Sequence, residues 1–379
     1  MHARGDTRTN TSQKIIWTGH ELLNKKIILV TYPDGFTLAE AKSLVDSADR
    51  ETVKIFTQKY LNHSQYGMGA GKAEEVKESV KETGAEQIVV DERLTSKQMH
   101  NLEKLAGVPA IDRERLILDI FYSRATTTEA KLQIELAEIK YGMPRVRENA
   151  KLTSGNERAG KGGMGEYVVD VKFRDMKRRM SFIKEKLDEA KKKRQLYHVQ
   201  RVKTGMPVVS LVGYTSSGKT TLFNVLTQEQ KETSSSLFTT LSTTTRALQL
   251  HDKEALLTDT VGFISRLPTY MIDAFKSTLE ESLAADVILL LIDASEDLQN
   301  IRIKYTACWK VLEELEVDRS KVIVVFTKYD VLGSEEAVGR IAQDLAIPHP
   351  LAISSKTGYG LHKLKTLLSS PLGKTVPVR

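Results

Sequence analysis

Val209-Ser-Leu-Val-Gly-Tyr-Thr-Ser-Ser-Gly-Lys-Thr-Thr-Leu-Phe223 decides the fold of this chain. An apolar run from Pro207 to Val212 reads as a buried strand. It leads into G-x-x-x-x-G-K-T at Gly213 to Thr220 and then into a helix opening Thr221-Leu-Phe-Asn. That is a phosphate-binding loop in its required strand–loop–helix setting. Gly213 and Gly218 let the backbone curl through Tyr214, Thr215, Ser216 and Ser217 so that successive N–H groups point inward. The helix N-terminus adds its partial positive charge. Lys219 reaches the β- and γ-phosphates, and the Thr220 hydroxyl is placed to ligate Mg²⁺. A glycine turn that merely spells the motif is the bland alternative, and the flanking strand and helix count against it.

Downstream motifs select the nucleotide. Leu256 to Gly262 reads as a strand ending in Asp259-Thr260-Val261-Gly262, a D-x-x-G loop in which Asp259 holds Mg²⁺ through water and the Gly262 N–H senses the γ-phosphate. Val322 to Phe326 is a second buried strand, ending in Thr327-Lys328-Tyr-Asp330. A carboxylate there accepts from N1–H and N2–H₂ of guanine, which adenine does not offer. Leaving such an acceptor unpaired costs about 1–3 kcal/mol, enough to select guanine. Ser354, Ser355 and Lys356 follow the next strand and fit the last guanine loop. Each tetrapeptide alone is a solvated strand end; their order and spacing point to GTP.

Composition indicates a soluble, multidomain protein. The chain has 379 residues and one cysteine, Cys308, on an amphipathic helix, so no disulfide or cysteine-based metal site is expected. The polar N-terminus (MHARGDTRTNTSQK) has no apolar core of the kind a signal peptide carries. No apolar run approaches the ~20 residues that span a bilayer. The expectation is a monomeric cytoplasmic protein with no membrane insertion.

Charge is unevenly placed. From Met176 to Lys203 there are eleven Lys/Arg against three acids, a net of +8 beside +7 for the whole chain, so the remainder is close to neutral. Within this segment Met176, Met180, Ile183, Leu187 and Ala190 recur at alternating four- and three-residue spacing, the seam of a paired helix. A solvated helical face is the ordinary explanation of a charge run, but an excess this lopsided suits a polyanion such as nucleic-acid phosphate. The partner helix is predicted over Thr126 to Tyr141, with Leu132, Leu136 and Ile139 on one side. A glycine-rich connection is expected at 154–165, giving an antiparallel hairpin.

Upstream, short apolar runs at Lys26 to Thr31, Val53 to Thr57, Gln87 to Val90 and Pro109 to Ile111 alternate with helical patterns at Leu38 to Ala48 and Ala73 to Thr83. This predicts a small parallel α/β unit. Tyr66-Gly-Met-Gly-Ala-Gly-Lys72 superficially resembles a nucleotide loop, but it lacks the span and the Ser/Thr of one and reads as a helix-entry turn. The organisation expected is a polar tail over 1–24, an α/β domain over 25–124, a helical hairpin over 125–205 and a P-loop GTPase domain over 206–379.

The strings Gly69-x-Gly71-Lys72-x-Glu74-Glu75, Ile111-Asp-Arg113, Leu116-Ile-Leu-Asp-Ile-Phe121, Gln133-x-Glu-Leu-Ala137 and Met143-Pro-Arg145 resemble the HflX family of ribosome-associated GTPases. In the G domain, Val212-Gly-Tyr-Thr215, Leu222-Phe-Asn224, Phe238-x-Thr-Leu241, Thr244-Thr-Arg246 and Asp259-Thr-Val-Gly-Phe-Ile264 extend the resemblance to nearly the whole chain. It implies that Phe238, Thr239, Thr240, Leu241 and Ser242 form switch I, with Thr240 a Mg²⁺ ligand beside Thr220 and Asp259. It implies binding to the large ribosomal subunit, with rRNA met by 125–205 and the N-terminal domain. Splitting or rescue of stalled ribosomes accompanies this in bacterial members.

The chain departs from the family pattern in places. The family's P-loop Asn, associated with potassium-stimulated hydrolysis, is Ser216 here, so the resemblance does not extend to a potassium requirement. Ser217 replaces Ala, and Ser242-Thr243 replaces Asp-Pro. Thr327 replaces the Asn of N-K-x-D, which should loosen guanine affinity. The bacterial R-G-P-G-E-T-Q-L-E string is absent and Glu166-Tyr-Val-Val-Asp170 stands near its place, as in an archaeal-like variant. Phe263 occupies the position where many GTPases orient the attacking water with Gln, so slow intrinsic hydrolysis is expected, through Lys219, Thr240 and Gly262. Arg246 and Arg266 flank the switches, as ordinary surface residues or as groups meeting transition-state charge. The competing class is a non-catalytic, GTP-bound RNA-binding scaffold. A tRNA-modifying GTPase is weaker still, since no cysteine motif for it is visible.

Overall fold

The structure is a computed structural model and describes residues 24–154, 162–204, 206–229, 237–238, 243–251, 253–283 and 285–369. Its N-terminal domain runs β1 (Lys26–Thr31), α1 (Gly35–Ser47), β2 (Glu51–Thr57), α2 (Ala70–Thr83), β3 (Gln87–Val90), α3 (Ser96–Ala106), β4 (Ala110–Asp112) and α4 (Arg113–Arg124). The four strands are parallel, in the order β2-β1-β3-β4. Their continuous Val/Ile/Leu runs suit strands covered on both faces. Local chemistry sets the helix starts: Asp34 accepts from Thr37 N at 2.9 Å to cap α1, and Thr95 forms a capping box with Gln98 on α3.

A hairpin of α5 (Thr128–Ser154) and α6 (Gly162–Thr204) follows. Both helices are longer than their sequence patterns suggest. α5 continues through Pro144, although an internal proline removes a backbone bond and costs about 3 kcal/mol. Tertiary contacts hold the continuation. Arg145 donates to Asp112 at 2.6 Å and to the Leu94 carbonyl at 2.8 Å, and Ser96 N donates to Glu148 at 3.1 Å. α6 begins at Gly162, so the last glycines of the expected loop are helical; residues 155–161 lie outside the described residues. Along α6, Ile183 and Leu187 are buried while Met176 and Met180 are partly buried against the same core. Gly142 of α5 admits the Met176 methyl, which would stand 3.3 Å from a Cβ there.

The G domain comprises β5 (Val208–Gly213), α7 (Lys219–Thr227), β6 (Thr244–Gln249), β7 (Glu254–Asp259), α8 (Thr269–Leu283), β8 (Val287–Asp293), α9 (Leu298–Glu314), β9 (Val322–Thr327), α10 (Tyr329–Leu332), α11 (Glu335–Asp344), β10 (Leu351–Ala352) and α12 (Leu361–Ser369). Strand order is β10-β9-β8-β5-β7-β6, parallel except for the edge strand β6. The chain passes from one side of β5 to the other, so β5 ends at the switch point where open α/β sheets bind ligands.

One apolar cluster runs through all three parts. It joins Leu29 and Phe121 of the N-terminal domain, Ile134 and Ile183 of the hairpin, and Phe275 and Ile288 of the G domain. Separate clusters line the far faces of the two sheets. Cys308 is fully buried on α9, where burial pushes its thiol up to about 12. Among the described residues no helix is long and apolar enough to cross a membrane.

Candidate nucleotide site

The phosphate cradle is assembled at the end of β5. Gly213 adopts φ +152, and a Cβ there would lie 2.5 Å from the Leu291 carbonyl oxygen, so no side chain fits. Lys219 is folded over the loop and donates to the carbonyls of Gly213 (3.1 Å) and Tyr214 (2.7 Å). Burial pushes its ammonium down to about 8, against the opposing pull of Asp259. Thr215 Oγ1 and Ser217 Oγ are buried with no hydrogen-bond partner among the described residues, as expected of groups whose partner is a ligand. Gly218 and Thr220 complete the loop, while Ser216 and Thr221 are exposed at its surface.

The Thr220 hydroxyl donates to Asp259 Oδ2 at 3.1 Å. A hydroxyl and a carboxylate, both hard oxygen donors at the rim of the cradle, fit Mg²⁺. Thr260 is anchored to the Leu211 carbonyl at 2.7 Å, so β7 delivers Asp259 and Val261-Gly262 in register. A Cβ on Gly262 would stand 2.9 Å from Thr215 Cγ2 and 3.1 Å from Lys219 Nζ. Its backbone therefore faces the cradle. Phe263 N donates to the Gly213 carbonyl at 3.0 Å and Thr215 N donates to the Phe263 carbonyl at 2.8 Å, stitching switch II to the P-loop. The Phe263 ring is buried in the core.

The loops expected to read the base converge from β9 and β10. Ser354 Oγ donates to Asp330 at 2.6 Å and accepts from Lys356 N at 3.2 Å, while Ser355 is half-buried beside it. Lys328, at φ +57, pairs with Asp293 at 2.5 Å. Thr327 Oγ1 donates to the Ser217 carbonyl at 2.8 Å, so the Thr in place of Asn ties the guanine loop to the P-loop. Tyr329 and Tyr359 stack at 4.1 Å with an 11° interplanar angle, bracing the two loops together.

Three comparisons bear on this arrangement. Family models described as GTP-binding GTPase N-terminal, GTP-binding GTPase middle region and 50S ribosome-binding GTPase match residues 36–122, 124–201 and 208–328. The chain is 41% identical over 303 residues to GTPase HflX of Thermococcus kodakarensis, covering 80% of this chain and 69% of that protein. It is 38% identical over 345 residues to GTPase HflX of Methanocaldococcus jannaschii, covering 90% and 85%. The chain belongs to the HflX GTPase family. To the Escherichia coli HflX it is 38% identical over 343 residues, covering 89% of this chain and 80% of that one. A crystal structure of SsGBP with GDP superposes with a TM-score of 0.52 at 22% identity, covering 91% of this chain and 97% of that one, which shows a shared fold.

As an HflX GTPase this chain is a GTP-hydrolysing enzyme. The structure brings Lys219, Thr220, Asp259 and Gly262 to one rim and Thr327, Lys328, Asp330 and Ser354 to another. Thr239, Thr240, Leu241 and Ser242 lie outside the described residues. Phe238 is described, and its ring does not face the cradle. It is buried at φ +60, edge-on to Phe121 of α4 at 4.7 Å. Tyr214 likewise sends its ring away from the phosphates, 6.3 Å from Phe36, with its hydroxyl bonded to Glu40 of α1.

Arg266 is exposed, and its guanidinium is engaged by the N-terminal domain. It pairs with Asp91 at 2.9 Å and Glu92 at 3.3 Å of the N-terminal domain. Arg246 is held by Glu229 at 2.5 Å. The group that sequence reasoning passed over is buried between the domains. Arg113 bridges Glu40 (2.5 Å) and Asp91 (2.6 Å) and donates to the Ser265 carbonyl at 3.0 Å. Burial opposes the Glu40 charge, but Arg113, Ser265 and Tyr214 outweigh it and hold the carboxyl below its usual range. The group's only trace in the sequence is Ile111-Asp-Arg113, a string that carries no chemistry by itself.

Proposed function

We propose that this HflX protein binds GTP with Mg²⁺ and docks on the large ribosomal subunit through the basic face of α6, where its slow hydrolysis is accelerated. The observation that carries this reading is the exposed cationic surface of a helix rooted in the same core as the nucleotide site. Lys177, Arg178, Lys184, Lys186, Lys192 and Lys193 are solvent-facing, and Phe182, 45% exposed, lies under Arg179 and Lys186 at 5.2 and 5.9 Å. Cations interleaved with an accessible aromatic ring suit RNA phosphates and an unstacked base.

On this reading Lys219 meets the β- and γ-phosphate oxygens, and the Gly262 N–H meets the γ-phosphate. Asp330 takes the two guanine donors, and the loop of Ser354 to Lys356 supplies N–H groups toward the base oxygen. Thr220 and Asp259 hold Mg²⁺, with Thr240 completing the set; the ion neutralises charge on the phosphates when bound. Phe263, buried, contributes nothing to water positioning, so a further group comes from the partner. Supplied groups in this class are worth on the order of 10³–10⁵ in rate.

The test is GTP turnover by the full chain alone and with its cognate large subunit, at low and high salt. Stimulation that fades as salt rises is expected. Tight GTP binding without stimulation at either salt would overturn the reading and leave an RNA-binding scaffold.

A further inference from the structure

Helix α1 touches the P-loop, switch II and the residue ahead of Phe238, although it belongs to the other domain. Glu40 accepts from Ser265 N at 3.1 Å and from the Ser265 hydroxyl in switch II. The same carboxylate binds the Tyr214 hydroxyl of the P-loop. Two turns further along the helix, Ser47 Oγ accepts from Leu237 N at 2.7 Å, beside Phe238 and ahead of switch I. Residues seven apart share a helix face, so one stripe of α1 contacts P-loop, switch I flank and switch II together.

We propose that α1 is a relay that reads which nucleotide is bound and sets how tightly the N-terminal domain is docked. This rests on the reading of the site as a GTP site. The contacts are satisfied with Lys219 folded back onto the Gly213 and Tyr214 carbonyls and with Phe263 stitched to the P-loop. A triphosphate draws Lys219 and the Gly262 N–H toward its terminal phosphate. Ser265 is three residues beyond Gly262, and Leu237 is three residues before Thr240, so both anchors are displaced. GDP has no γ-phosphate and leaves Gly262 where it is. The two nucleotides therefore differ in the docking energy they permit, and by reciprocity the docked domain discriminates between them. Phe238 is a non-glycine residue at positive φ, a conformation that persists only where its surroundings hold it; Phe121 of α4 supplies part of that hold.

Hydrogen exchange of the full chain tests this over residues 38–48 and 113–121, saturated with GDP or with a non-hydrolysable GTP analogue. Binding of each is verified separately with fluorescent nucleotides. Exchange in both segments should be at least threefold faster with the analogue. In Glu40→Gln the difference should shrink below twofold while both nucleotides still bind. Arg113 keeps Asp91 in that variant, so the fold persists. Ser47→Ala, which touches no ion pair, should shrink it in the same direction. Equal exchange with both nucleotides bound overturns the relay alone. Failure to bind either nucleotide overturns the site reading and the relay with it.

Discussion

Along α6 the cations stand in solvent, while between the two α/β domains Arg113, Glu40 and Asp91 are buried and bonded to one another. All are charged side chains, yet the physical consequences differ. Exposed charges are solvated, add little to folding and remain available to an external polyanion. Buried charges have lost their hydration, so their worth lies in mutual geometry and each depends on its partner. α6 thus presents solvated cations at the surface, and the interdomain cluster is a joint.

Arg113→Ala should break the joint hardest. It leaves Glu40 and Asp91 buried without their cation, and denaturant unfolding should show a loss of about 3–5 kcal/mol. The same truncation at Lys184 of α6 should leave the unfolding midpoint unchanged, and equal effects at both sites would erase the contrast.

Gly262→Ala tests the cradle that the joint supports. The new methyl meets Thr215 and Lys219, and kcat should fall roughly a hundredfold with little loss of GDP affinity, the scale of removing one backbone donor from a transition state. Single-turnover kinetics would show it.

Lys219 is the buried counterpart of the α6 lysines, and pH exposes the difference. With its ammonium pushed down to about 8, raising the pH above that value removes its proton in the free protein. Phosphate binding then has to recover the proton, so nucleotide affinity should fall by up to about tenfold per pH unit above 8. In the nucleotide-free protein the sign reverses: a depressed lysine makes stability rise between pH 8 and the ordinary lysine range. Titration calorimetry and unfolding across pH 7 to 10 separate the two trends.

The smallest effects are single contacts. Thr327→Val removes the donation to the Ser217 carbonyl and should weaken GTP and GDP alike by about 1 kcal/mol. Neutralising one α6 lysine should lower the slope of log affinity against log salt for the large subunit by about 1, with GTP affinity unaltered.

The legible parts of the site were those with a local motif. Gly213 to Thr220, Asp259 to Gly262 and Thr327 to Asp330 each follow a strand, and strand period and turn chemistry are written over a few residues. Helix ends were less legible. α5 runs through Pro144 because Arg145 and Glu148 find partners in the N-terminal domain, and contacts across 33 and 52 residues leave no local trace. Tyr214 and Phe238 were assigned to the nucleotide because they sit inside its motifs, yet both rings turn to the other domain.

Motif order and local composition in the chain determined the candidate nucleotide site, the family and the uneven charge of α6, since each depends on residues near one another in sequence or on composition alone. Only the tertiary structure decided that a helix from one domain holds the P-loop and both switch flanks of another. Glu40 in a helix interior is by itself an ordinary solvated glutamate. What makes it a joint is its burial beside Arg113, Tyr214 and Ser265, 73, 174 and 225 residues away, and that depends on how the domains pack.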